Sequence, residues 1–369
     1  MMLWRPVSRL VAVALALGVG AWGCEEKKEQ GPAADAGPPA AETVSPVLGG
    51  RLAAAVKSAA AKPAGSAEET GPPPDGVFGP GQADKVHASG APLKIELFAP
   101  GGEPRVGLRV AAGTAVPERV ELTVSMRAGT QMLPTLEYVL GLQLEQPEGQ
   151  ADGGAAGPLL LAVKVAKVSL AASQPGRIPP GLERDVAKIK GTSMRLALQP
   201  DGSTGRADVK LGKGTDEGLR QAPVAAAEAL GTLRVVAPAE PVGQGAYWMV
   251  TDRTAVAGVP VLRYRVYRVQ AVAGDELSGS LEVRQYAAKA ELEGEQSEGL
   301  AVGAFDSQGK GSWTQPAGAA VVSRGEVQLQ TRMQLTSARQ PQQLMLSQME
   351  LRASLRELSG DEQGKNKGK

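Results

Sequence analysis

Cys24 is the only cysteine in the chain. It follows Ala21-Trp22-Gly23 and precedes Glu25. Small residues before a thiol let the chain enter a peptidase cleft, and the sulfur can then accept an acyl group. Little else offers chemistry. His87 is the only histidine, so His- and Cys-based catalysis and zinc sites with N/S ligands lack their groups. No Gly-x-Ser-x-Gly elbow occurs. Glu291, Glu293, Glu295 and Glu298 could pair as acid and base, but their clustering in one polar stretch reads more simply as a solvated edge. Asp201-Gly202-Ser203-Thr204-Gly205 lacks the alternating carboxylates of a calcium loop and reads as a turn. Arg263, Arg265 and Arg268 lie near Tyr264 and Tyr267, a candidate basic stripe for an anionic head group or polysaccharide. The plainer reading is the wet face of a strand, with Arg stems over apolar neighbours. Gly243-Gln244-Gly245 has neither the third glycine nor the Lys-Ser/Thr of a phosphate cradle. The expectation is a protein that is not an enzyme and holds no metal or cofactor.

The segment before Cys24 supplies an address. Arg5 and Arg9 give a positive start, Leu10 to Gly20 is a short apolar run, and small residues precede the cysteine, the layout of a secretory signal. The run is too short to span a bilayer, which needs ~20 apolar residues. Gly23-Cys24 resembles the end of the bacterial lipobox, Leu-(Ala/Ser)-(Gly/Ala)-Cys, with Ala21 where Leu is usual and Trp22 where a small residue is usual. The resemblance implies a signal peptide over 1–23 and lipidation of Cys24 by two or three acyl chains such as palmitate. One chain holds only marginally at ~0.8 kcal/mol per methylene, so several make a stable anchor. Many Gram-negative lipoproteins kept in the inner membrane carry Asp after the cysteine. Glu25 is not that signal, so the expected location is the outer membrane, facing the periplasm.

Residues 24–92 read as a disordered Ala/Gly/Pro-rich tether. Stretches such as Gly37-Pro38-Pro39-Ala40-Ala41 and Gly71-Pro72-Pro73-Pro74-Asp75-Gly76 cannot bury enough apolar surface to offset their ordering entropy. As a flexible coil such a tether reaches ~45 Å r.m.s.. On this reading His87 is a solvated bystander.

From Leu93 the pattern changes to strict alternation, the mark of half-buried strands. Val120, Leu122, Val124 and Met126 share one face. So do Leu136, Tyr138, Leu140, Leu142 and Leu144; Leu277, Gly279, Leu281 and Val283; Val327, Leu329, Thr331, Met333 and Leu335; and Met349, Leu351, Ala353 and Leu355. One packed face and one wet face is the habit of antiparallel sheets. Only Leu159 to Val165 approaches a continuous apolar run. Met194 to Gln199 and Ala207 to Leu211, joined by Pro200-Asp201-Gly202, read as a hairpin. Gly274-Asp275 and Gly309-Lys310-Gly311 read as further turns. Leu182, Val186 and Ile189 share a helical face, begun after Pro179-Pro180 and closed by Gly191. A second helix is expected from Asp216 to Leu230, ended by Gly231, with Pro223 either kinking it or moving its start to about Ala222.

That helix divides a β-rich domain, 93–358, into halves 93–231 and 232–358, each of about six strands. The halves are joined by Val235-Val236-Ala237-Pro238-Ala239-Glu240-Pro241-Val242-Gly243-Gln244-Gly245-Ala246-Tyr247-Trp248. Pro, a short spacer and Val-Gly-x-Gly-x-x-Trp is similar to the midpoint of a family of bacterial lipoproteins of no assigned activity. The resemblance implies two related β-rich halves joined through a helix. More distantly, the layout is similar to the periplasmic lipoprotein carrier and the mycobacterial lipid-binding lipoproteins, which implies a curved, incompletely closed sheet wrapping helices around an apolar cavity. Read physically, the glycines permit a sharp change after Pro241 and Trp248 enters the sheet as a large apolar anchor.

The fold class expected is therefore α+β, mostly antiparallel β, with one or two helices on the concave side. Met126, Met194, Met333, Met345 and Met349 serve as adaptable core fillers. Aromatics are 3% of the chain, which argues against a carbohydrate platform, and a formal charge of +1 argues against nucleic acid. Residues 359–369 read as a disordered tail. Two functions fit: an anchored envelope lipoprotein that binds or carries a hydrophobic ligand, or a structural scaffold for envelope protein contacts. The partners implied are the membrane, through the acyl anchor, and a hydrophobic small molecule or an envelope protein.

Overall fold

The computed structural model describes residues 72–358 except 111–112, 115, 146–158, 173–179, 206, 216–218, 293–298 and 338–339. Cys24, the segment up to Gly71, Asp216, Glu293, Glu295, Glu298 and the tail 359–369 lie outside the described residues.

The strands are β1 Lys94–Ala99, β2 Arg119–Ala128, β3 Gln131–Met132, β4 Leu136–Glu145, β5 Leu159–Leu170, β6 Ser193–Leu198 and β7 Asp208–Lys210, then β8 Tyr247–Val256, β9 Val259–Ala273, β10 Glu276–Ala287, β11 Leu300–Pro316, β12 Arg324–Ser337 and β13 Gln340–Glu357. The helices are α1 Gln82–Val86, α2 Leu182–Ala187 and α3 Gln221–Leu233. All strands join one 13-stranded sheet in the order β1-β8-β9-β10-β11-β12-β13-β2-β4-β5-β6-β7, with β3 beside β2. Every strand pairing is antiparallel. The expected fold class holds: two antiparallel meanders, β2–β7 and β8–β13, share one sheet that does not close into a barrel. They meet where β13 pairs β2, and β1 crosses to the far edge to pair β8.

Segments outside the strands are tied to one another by backbone hydrogen bonds. Val106 bridges Val242, Val110 N–H donates to Pro200 O, and Ala237 N–H donates to Asp201 O. The Pro200–Gly202 turn of the β6–β7 hairpin is thereby tied to the chain entering β8. At this junction Gly243 is required for closeness: a Cβ there would lie 1.8 Å from Gly102 O.

The sheet face against which α2 and α3 pack is called inner below. Val120, Leu122, Tyr138, Leu140, Leu161, Met194 and Leu196 on that face belong to one continuous core with Val186, Ala226, Leu230, Leu233, Val236 and Trp248. Alanines at 226, 227 and 229 let α3 lie close to the strands below it. Trp248 is fully buried as expected. It stacks on Tyr267 at 5.3 Å, meets Trp313 edge-on at 6.3 Å, and donates from Nε1 to Val236 O at 2.7 Å. Trp313 fits because its partner across the strands is Gly279, where a Cβ would fall 2.5 Å from the indole.

Four sequence expectations need correction. The folded chain starts before Leu93: Phe78 N–H donates to Ala287 O, Phe305 N–H donates to Asp75 O, and Phe78, Ala83 and His87 are buried. Phe78 packs edge-on against Tyr286, and Asp84 pairs Arg253 at 2.7 Å. His87 is thus no bystander. The residue is 7% exposed, with Nε2 buried and unpartnered among the described residues. Second, Gly231 does not end α3, which runs on to Leu233 with Pro223 buried in its first turn, where a missing N–H is harmless. Third, Gly309 and Gly311 form no turn. They sit inside β11, opposite Leu329 and Val327. Fourth, of the five expected methionine fillers, Met194 and Met333 are buried while Met126, Met345 and Met349 are half-buried.

Candidate functional site

Residues directly opposite on neighbouring strands share a face, so the registers order the inner face into rows. One row reads Trp248, Tyr267, Leu281, Gly311, Val327, Ala353, Val124 and Leu136. Apart from the Trp248 Nε1 and the Tyr267 hydroxyl it is apolar. The next reads Val250, Arg265, Val283, Gly309, Leu329, Leu351 and Met126. The third reads Asp252, Arg263, Gln285, Ser307, Thr331 and Met349. From β8 to β12 that third row is polar, and Gln285, Ser307 and Thr331 are each at most 4% exposed.

The polar row holds two hydrogen-bonded groups, one around Asp252 and one around Ser307. Arg263 grips Asp252 with two hydrogen bonds, Nε to Oδ1 at 2.9 Å and Nη2 to Oδ2 at 2.6 Å. Arg265 Nη2 donates to the same Oδ2 at 3.0 Å, and its Nη1 reaches the Tyr267 hydroxyl at 3.4 Å. Ser307 Oγ donates to Gln285 Oε1 at 2.6 Å and meets Thr331 Oγ1 at 2.8 Å. The Tyr267 hydroxyl donates to Arg234 O at 3.2 Å. Arg234 follows α3, is 2% exposed, and donates from Nε to Gly202 O at 3.2 Å.

Burial sets the charge states. It pushes the Asp252 carboxyl up, but Arg265 and Arg263 outweigh it and hold the group well below the usual carboxylate range. Burial pulls the Arg234 guanidinium down to about 10, partly countered by Asp201 and Tyr267. Burial also pulls on Arg265, but Tyr267 and Asp252 leave it above its ordinary value. Arg234 and Arg265 therefore stay cationic at neutral pH. Arg234 Nη1 and Arg265 Nε are buried and lack a hydrogen-bond partner among the described residues.

The candidate arginine–tyrosine stripe is thereby divided. Arg263, Arg265 and Tyr267 lie on the inner face. Tyr264 and Arg268 lie on the outer one, where Tyr264 meets Tyr286 at 5.9 Å and Arg268 sits 4.9 Å over the Tyr247 ring. The simpler alternative, a solvated strand face, fails for Arg265, which is 3% exposed. Glu291 forms a bridge with Ala301. Asp201–Gly205 is the turn expected, with Asp201 Oδ1 accepting from Ser203 N–H at 2.8 Å. Among the described residues no three His, Cys, Asp or Glu side chains gather as a metal site would require.

Sequence reasoning missed Asp252, Gln285, Ser307 and Arg234. Two signals were available. Ala257-Gly258 is a two-residue hairpin turn with positive φ at both positions; counting outward from it sets Asp252 opposite Arg263. Gln285 and Ser307 are polar residues continuing inward-facing alternations.

The chain matches no known family, and no curated protein is similar to it at a significant level.

Proposed function

We propose that this is a lipid-anchored lipoprotein of the bacterial envelope, held by Cys24 at the outer membrane facing the periplasm, which binds or carries a hydrophobic ligand on the inner face of its sheet. It works without catalysis or a cofactor. One observation carries the reading. Leu329, Leu351 and Met126 form an unbroken aliphatic run across β12, β13 and β2 on the face that elsewhere builds the core, yet they are only half-buried. An apolar strip on an inward face that α3 leaves partly uncovered suits an acyl chain. Native mass spectrometry of the gently purified protein tests it. Stoichiometric acyl lipid that vanishes on organic extraction is expected. A lipid-free protein with no thermal shift on adding fatty acid or phospholipid overturns it.

The anchor is tested separately. Cys24→Ser is expected to release the protein from membranes, and a variant that still sediments after a carbonate wash means that acylation at Cys24 is not what holds it.

A second reading is favoured by the seating of α3. Its alanines lie on the strands and its leucines join a core that runs without interruption through both meanders. A single body so filled suits a rigid scaffold for contacts with other envelope proteins, and it takes the lead if no lipid is found.

A further inference from the structure

Arg234 and Arg265 are buried and Arg263 is half-buried, and together they carry more formal charge than their acidic partners. Arg234, Arg263 and Arg265 face Asp252, which both Arg263 and Arg265 contact, and Asp201, which lies within electrostatic reach of Arg234 and Arg265. The group is one positive charge in excess, and His87, whose ring also acts on Asp252, adds no negative charge. Asp252 is shared between the half-buried Arg263 and the buried Arg265, and an incompletely neutralised cation away from water is costly. Two donors aggravate the deficit, because Arg234 Nη1 and Arg265 Nε are buried without a partner among the described residues. The two residues belong to one locality, since Tyr267 accepts from Arg265 and donates to the Arg234 backbone carbonyl, and Asp201 acts on both guanidiniums. Arg265 also lies on the row that passes Val283 and Gly309 and ends in the half-buried Leu329, Leu351 and Met126. Leu329 lies three strands from it, about 14 Å at ordinary strand spacing.

We propose that Arg234 and Arg265 together bind the anionic head group, a carboxylate or a phosphate, of the ligand whose apolar part lies toward Leu329 and Leu351. This rests on the hydrophobic-ligand reading for the tail and on the arginines alone for the head. The anion supplies the missing charge and acceptors for both free donors. Guanidinium is suited to planar carboxylate and to phosphate oxygens. Net charge and apolar surface lying along one row mean that a neutral lipid leaves the donors unfilled, whereas a free anion leaves the aliphatic end bare.

The test uses the full chain carrying Cys24→Ser, stripped of bound lipid on a hydrophobic resin. It is titrated with oleate below its micelle concentration, with the uncharged monooleoylglycerol, and with inorganic phosphate. Melting temperature and tryptophan emission are read, since Trp248 stacks on the Tyr267 that touches both arginines. Oleate is expected to bind about tenfold more tightly than monooleoylglycerol, the worth of one charge-assisted hydrogen bond. Phosphate is expected to raise the melting temperature weakly. Arg234→Met is expected to raise the melting temperature of the empty protein and to erase the oleate preference; Arg234→Lys, which keeps the charge, covers the case in which the methionine variant does not fold. Equal binding of oleate and monooleoylglycerol overturns the head-group assignment and leaves the hydrophobic-ligand reading intact. Phosphate binding without oleate binding supports the anion site and overturns that reading. No binding of any of the three overturns both.

Discussion

Strands β2 to β6 and strands β8 and β9 are built on opposite plans within one sheet. In the first region burial alternates: Val120, Leu122, Val124, Leu140, Met194 and Leu196 are buried, and their neighbours are half-buried or exposed. In β8 and β9 both faces are closed. Trp248, Met249, Val250 and Thr251 are consecutive buried residues, as are Tyr264, Arg265, Val266 and Tyr267. The outer side of that region holds Phe78 and α1, and its inner side holds the chain leaving α3 and the Asp252 network. A strand wet on one side can spend its polar residues on solvent. A strand covered on both must satisfy them internally, and the ionic and hydrogen-bonded row is where it does so.

The sharpest way to break this contrast is to strip the outer cover. A chain starting at Leu93 removes Phe78, Ala83, His87 and the Asp84–Arg253 pair, and uncovers the Tyr286 ring against which Phe78 packs. Burying a Phe-sized side chain is worth ~1.5–3 kcal/mol, and several apolar groups are lost or uncovered together. The expected cost relative to a chain starting at Pro72 is on the order of 5 kcal/mol, read as a lower denaturant midpoint. The shorter chain folding with equal stability would mean that two-sided burial of β8 and β9 is incidental.

Next in size is Trp248→Ala. It empties the centre of the Trp248–Tyr267–Trp313 cluster and leaves Val236 O without its donor. About 4 kcal/mol is expected. Native Trp248 emission, measured in a Trp313→Phe background, should be blue-shifted and resist iodide. Ready quenching would move the side chain to the surface.

Asp252→Asn addresses the inner face. It leaves two guanidiniums facing a neutral group, and removing one partner of a buried pair costs about 3 kcal/mol. The pH dependence has a definite sign. The folded carboxyl titrates below its unfolded value, so its contribution is complete above about pH 4. It is lost as the pH falls toward the lower, folded value. The wild type should therefore lose stability below about pH 4 more steeply than the Asn variant. Parallel acid unfolding curves for the two proteins would remove Asp252 from the account.

The same contrast explains what could be read without coordinates. One-sided strands advertise themselves by alternation, and β2, β4, β10, β12 and β13 were all legible, as were α2 and the hairpin turning at Gly202. Trp248 as an anchor was legible because a large ring after a glycine pair has few other places to go. The two-sided region was not. Val261 to Tyr267 mixes apolar, aromatic and basic residues on both faces, so no period separates inner from outer, and three arginines in a short span resemble a solvated stripe. Phe78 and His87 were hidden for another reason. A proline- and glycine-rich stretch lacks periodicity whether or not it folds, and the surface that holds Phe78 comes from strands far along the chain. Arg234 was invisible because the contact that holds it, from Nε to Gly202 O, joins residues 32 apart in the chain.

The one-sided region offers the smallest and cleanest test. Tyr138 on β4 is fully buried and donates from its hydroxyl to Ala222 O at 3.1 Å, tying the start of α3 to the strand beneath. Burial pushes its phenol well above the ordinary value, so it remains a neutral donor throughout the accessible pH range. Tyr138→Phe keeps the ring and its packing and removes only that bond, with Ala222 O left to find another donor. A net loss of about 1 kcal/mol is expected, without any pH dependence. This is less than the loss from Asp252→Asn, because a neutral bond in an apolar row is removed instead of half an ion pair. Hydrogen exchange refines the expectation: amides in the first turn of α3 should open faster in the variant while those of β8 and β9 stay protected. Equal acceleration in both places would mean that the two regions unfold as one unit, and that the difference in their construction has no counterpart in local stability.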